Sequence, residues 1–98
     1  MNRITEKQLQ SLVNCINTVT GSPMKPWNNE TTPMTANIGN YHLSFAYGGV
    51  ALHQICTNGG GVIDVFSSGH MPKRELYQRM SAWFDGYCAK ADEARGEQ

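Results

Sequence analysis

Apolar and polar positions fall into three regimes along the chain, and each predicts a different kind of element. Leu9, Leu12, Val13, Ile16 and Val19 recur three and four apart, which places them on one stripe of a helix. Thr5 and Gln8 make a capping-box pair and Ile4 with Leu9 a hydrophobic staple, so this helix starts at Thr5. Gly21 and Pro23 end it after about Val19. The following stretch, GSPMKPWNNETTP, holds three of the four prolines and reads as an ordered loop anchored by Trp27.

From 34 to 66 the period changes to two. Gly39-Asn40 and Gly48-Gly49 each sit between alternating segments, the pattern of tight hairpins with two-residue reversals. These turns pair Ile38 with Tyr41, Ala36 with Leu43, Met34 with Phe45, Tyr47 with Val50, Phe45 with Leu52, and Tyr41 with Cys56. Every apolar residue in those pairs then lies on one face, and a slip of one residue would turn the whole set into water. A fourth strand, Val62 to Phe66, follows a glycine-rich loop. A four-residue loop from Asn58 to Gly61 sets Ile55 opposite Asp64 and sends Asp64 outward; a five-residue loop would bury that carboxylate. The final helix begins near Pro72 and carries Leu76, Met80, Trp83, Phe84, Tyr87 and Ala91 on one side.

The expected fold is therefore α+β: a four-stranded antiparallel meander with an N-terminal and a C-terminal helix packed on one face, in the order α-β-β-β-β-α. Residues 1–91 form one domain and the charged stretch 92–98 a flexible tail.

Composition narrows the functional classes. Eight basic and eight acidic residues give no net charge, which disfavours a strongly electropositive nucleic-acid binder or a polybasic membrane protein. No apolar run is long enough to span a bilayer and the N-terminus lacks a secretory layout, so a cytoplasmic protein without a membrane partner is expected. Three cysteines, Cys15, Cys56 and Cys88, lack CxxC spacing and read as reduced, buried thiols outside any disulfide or zinc framework.

The candidate chemistry lies on the face the helices leave open. The expected register sets His42, Ile55 and Asp64 in one row and Ser44, His53 and Phe66 in the next, with Ala46 and Ala51 beyond and Val62 nearby. This semi-apolar patch has the composition of a surface where a protein partner docks, and a homodimer is one form of that reading. The competing structural reading has the Trp27 loop folded over the same face. Catalysis and metal binding rank lower. His53 and Cys56 lie on opposite sides of a strand, His42 and His53 are only diagonal neighbours, and no cysteine has an evident base, so no catalytic residue, metal or cofactor is assigned.

A second candidate is SSGHMPKREL. Lys73 and Arg74 occupy the first helical turn, where the macrodipole disfavours cations. With His70 they form an alternative phosphate-binding group that would act on a nucleic-acid backbone. The plainer reading has Glu75 paired with Arg79 and both cations solvated.

The stretch GNYHLSFAYGGVALHQICTNGGGVIDVF, followed by GHMPKRELYQRMSAWFDG, resembles small accessory proteins encoded by tailed bacteriophages and prophages, over Gly39 to Gly86. The first helix and TGSPMKPW are a looser match. The resemblance carries no functional residue onto this chain. It implies a non-enzymatic protein of the bacterial host cell that binds a host or phage macromolecule. The element order is also similar to double-stranded RNA-binding domains, although Lys73-Arg74 is shorter than their basic cluster and a fourth strand departs from them.

Overall fold

The computed structural model describes residues 3–28 and 35–96, with side chains placed as far as residue 90. Helix α1 spans Glu6–Thr20 and helix α2 Lys73–Gly96; between them lie strands β1 (Trp27–Asn28), β2 (Thr35–Ala36), β3 (Tyr41–Ala46), β4 (Gly49–Ile55) and β5 (Val62–Asp64). The class is α+β, but the strands form two antiparallel sheets, β1-β2 and β3-β4-β5, in place of a four-stranded meander.

Both ends of α1 obey the sequence signals. Thr5 Oγ1 accepts from the Gln8 amide at 3.2 Å, and Gln8 Oε1 accepts from the Thr5 amide at 2.8 Å, so two free donors of the first turn are satisfied. Gly21 closes the helix in the left-handed region at φ 74°, where a side chain would be strained. Helix α2 starts at Lys73, with the Pro72 carbonyl accepting from Leu76 N at 3.1 Å. It continues through Gly96, into the stretch expected to be a tail, because Ala, Lys, Glu and Arg are strong helix formers that need no core contact. Positions 97 and 98 lie outside the described residues.

Leu9, Val13 and Ile16 of α1 meet Val50 and Leu52 of β4 and Met71, Leu76 and Met80 around α2 in one core. Tyr41 and Trp83 extend it at a ring separation of 5.9 Å, and Trp83 stacks on Tyr87 at 5.7 Å. Burial, together with the nearby Tyr87 hydroxyl, holds the Tyr41 hydroxyl above its ordinary pKa.

The first expected hairpin does not form. Gly39 N donates to Ile55 O and Ile55 N to Asn40 O, so Gly39-Asn40 continues along β4, and β2 pairs with β1 through Trp27↔Ala36 and Asn28↔Thr35. The reason is polar. Asn40 is buried and donates Nδ2 to Pro23 O at 2.8 Å, while Asn37 bonds Lys25 O and Pro26 O, binding this segment to the proline-rich loop. Met34, expected opposite Phe45, lies outside the described residues.

The second hairpin forms two positions out of register. Its reversal is Tyr47-Gly48, with φ 55° and 73°, so Ala46 faces Gly49, Phe45 faces Val50 and Tyr41 faces Gln54. The β4–β5 pairing moves by the same step: Ile55 faces Val62 and His53 faces Asp64, leaving residues 56–61 as the loop. An even slip preserves parity, so Tyr41, Leu43, Val50 and Leu52 still face the helices while His42, Ser44, His53 and Asp64 still face away. Cys56 lies beyond the end of β4 and is exposed, as is Cys15 on α1, and Cys88 is half-buried; these thiols are not core residues.

Candidate functional site: a histidine row on the outer sheet face

The two-residue slip changes which outer side chains are neighbours. His42 of β3, His53 of β4 and Asp64 of β5 become one continuous row. Ser44 faces Ala51 in the next row, and the Val50↔Met71 bridge extends that row by setting His70 beside Ala51. All three histidines of the chain thereby reach one surface. Ring centroids of His42 and His53 lie 6.0 Å apart, as do those of His53 and His70. His70 reaches over β4, its Nε2 lying 3.1 Å from Ser44 Oγ. The crossing requires a small residue beneath it, and Ala51 is fully buried there.

Each member is positioned by a separate device. Asn40 Nδ2 is committed to Pro23 O, so its oxygen faces His42 Nδ1 at 3.2 Å; His42 therefore donates from Nδ1 and keeps its lone pair on Nε2. Burial, reinforced by the neighbouring His53, lowers the His42 pKa. Asp64 sits in the row but bonds away from it: Oδ1 accepts from Phe66 N at 3.2 Å and Oδ2 from Gly69 N at 2.7 Å, which orders the turn that delivers His70. Both Asp64 oxygens are thus engaged by backbone amides and stand apart from the Ser44–His70 contact. Among the described residues, no group of three or more His, Cys, Asp or Glu side chains is arranged to hold a metal ion.

Not every residue expected on this face is available on it. Ile55 has the outward parity but is 2% exposed, because the 35–40 segment is strapped to this end of the sheet through the Ala36–Asn58, Gly39–Ile55 and Asn40–Ile55 backbone bonds. Phe66 leaves the outer face altogether. Strand β5 ends at Asp64, alternation stops there, and Phe66 turns toward the helix-side core. Val62 is exposed at the β5 edge. Trp27 covers the Gly59–Gly61 loop, with its ring 2.9 Å from where a Gly60 Cβ would stand; Gly60, at φ 95°, is required there twice over.

The phosphate group separates in the same way. Lys73 and Arg74 are exposed at the start of α2, whereas His70 is turned to Ser44. Lys73 lines an open groove of about 400 Å³ together with Glu6, Phe45 and Gly49, so an acid shares its surroundings.

Sequence reasoning missed Tyr47. It was expected in a strand opposite Val50; it occupies the turn in the left-handed region, 96% exposed, with its ring 5.7 Å from His70. The signal was the Tyr-Gly-Gly triplet, which admits two placements of a two-residue loop.

No protein-family model matches the chain, and no curated protein or solved structure does so. Among the described residues, no helix is long and apolar enough to cross a membrane.

Proposed function

We propose that this chain is a non-enzymatic binding protein of the phage or prophage accessory kind, which docks a host or viral protein on the outer sheet face. His42, Ser44, His53 and His70 form the floor of the contact and Tyr47 its anchor. The observation that carries this reading is Tyr47 itself. A bulky residue in the left-handed region costs about 1–2 kcal/mol relative to glycine, and sequences that need only a tight reversal place Asn or Gly there. Strain retained at a solvent-facing tyrosine is what a recognition residue displays, and tyrosine is enriched among residues that dominate binding energy.

The test separates stability from binding. Tyr47→Asn converts the reversal to the favoured Asn-Gly pair, so the melting temperature should rise while a partner recovered from infected or lysogenic cells is lost. Recovery of the same proteins with both forms, or of none with either, would refute the proposal.

The second reading is phosphate-backbone binding through Lys73 and Arg74, favoured by their exposure at a helix N-terminus. Duplex affinity at low salt that falls steeply as salt is added would support it; no binding at low salt would remove it.

A further inference from the structure

β3 is an edge strand, and its backbone shows which of its groups are unpaired. In an antiparallel ladder, alternate residues direct both backbone groups to the same neighbour. Tyr41 N donates to Asn17 Oδ1 at 2.9 Å and Tyr41 O accepts from Asn17 Nδ2 at 3.0 Å, so the odd positions of β3 point away from β4. The other end agrees: a two-residue reversal at Tyr47-Gly48 makes Ala46 and Gly49 the bonded pair. The N–H and C=O groups of Leu43 and Phe45 therefore point outward, where, among the described residues, no strand lies beside β3. Lysine, proline or an inward charge commonly blunts such an edge, and Tyr41–Ala46 contains none of them. Phe45 is 51% exposed next to the open edge.

We infer that a second copy of the chain docks on this edge, β3 against β3 in antiparallel orientation, about a two-fold axis through Ser44. The register follows from the phase. Centred on Ser44, Leu43 of each copy faces Phe45 of the other, and all four outward groups of each copy are satisfied. Centring on Leu43 would call on Tyr41, whose groups Asn17 already holds; centring on Phe45 would call on the turn residue Tyr47. The side chains agree with the Ser44 register. His42 meets Ala46, Ser44 meets Ser44, and the exposed Phe45 is covered by Leu43 of the second copy, with no like charges opposed. On the flank of α1 that carries Asn17 lie the uncharged Gln10 and Asn14, bonded to each other at 3.1 Å, and further along it Glu6, which lines the groove beside Phe45 together with Lys73 of opposite charge. Two isologous edges make one continuous sheet, three strands from each copy, with both histidine rows on the same side.

The test uses the full chain. Sedimentation from micromolar to millimolar concentration should show a reversible monomer–dimer equilibrium. Ser44 lies at a non-bonded pair on the axis, where Cα atoms are about 4.5 Å apart, within disulfide reach. Ser44→Cys, with Cys15, Cys56 and Cys88 replaced by Ser, should therefore link 44 to 44 under mild oxidation. Phe45→Lys puts a charge on the edge and Phe45→Pro removes an outward N–H that no bond among the described residues uses; each should weaken the dimer about tenfold or more. Phe45→Lys leaves the backbone intact and decides the matter if Phe45→Pro fails to fold. A monomer at every concentration with no 44–44 link, or a dimer unaffected by Phe45→Lys, would overturn the inference. Because Tyr47→Asn leaves the Leu43–Phe45 edge untouched, loss of the dimer and loss of the partner are read separately.

Discussion

The two faces of the three-stranded sheet use the same strands to different ends. On the helix side, Val50 and Leu52 are sealed beneath α1 and α2, and what holds them is area removed from water. On the outer side, Ser44, His53 and His70 are held by directed contacts that link β3, β4 and the 65–71 turn. One strand thus carries an ordering function and a presenting function on alternate residues. The largest contrast between them can be measured in β4. Leu52→Ala should cost about 2–5 kcal/mol in denaturant unfolding, since it opens a void in a closed core. His53→Ala, one position on, should cost less than about 1 kcal/mol, because the half-buried imbidazole ring leaves space that water can fill. Equal losses would mean that the outer face is a second core.

What could be read from the amino acids follows the same division. Hydrophobic alternation specifies which face of a strand meets the helices, and Tyr41, Leu43, Val50 and Leu52 do pack there although both pairings are displaced by two positions. Burial itself does not alternate: Phe45 on that face is 51% exposed, and Ala51 and Ile55 on the other are buried. Parity is insensitive to an even slip, whereas neighbour relations depend on it entirely: the displacement turned His42 and His53 from diagonal to direct partners. The same limit hid His70, which reaches the face through the Met71 bridge and the Asp64-bonded turn, a connection with no periodicity to reveal it. Asn17 and Asn40 escaped for another reason. Their amides replace strand partners and loop donors, and an asparagine in a helix or beside a glycine gives no sign of the distant carbonyl it will meet.

Acid should separate the faces without any mutation. His42 has its pKa lowered in the folded chain, so the unfolded chain takes up its proton first as the pH falls. The stability it contributes is complete above the unfolded value of about 6.5 and is lost as the pH falls toward the lower folded value. For this one group the slope cannot exceed about 1.4 kcal/mol per pH unit. Urea midpoints between pH 7.5 and 5 should decline, and His42→Gln should flatten the part of the decline that His42 contributes. An unchanged slope would show that His42 does not resist protonation in the folded chain.

The smallest expected effect falls on the single hydrogen bond that crosses β4. Ser44→Ala removes the contact with His70 Nε2 and leaves Ala51 beneath the ring unchanged, so the loss should be about 0.5–1.5 kcal/mol, the worth of one ordinary hydrogen bond. Global stability is then the less informative readout, because the 65–71 turn keeps its Asp64 bonds and the Val50–Met71 pair at its far end. Amide exchange discriminates better. If the Ser44–His70 contact holds the turn onto the sheet, Gly69 and His70 should exchange faster in the variant while Leu52 and Leu76 keep their protection. Faster exchange confined to this turn would show that the outer face is assembled last and held locally. Faster exchange spread through the core would instead tie His70 to the packing on the helix side, and the two faces would have to be treated as one cooperative unit.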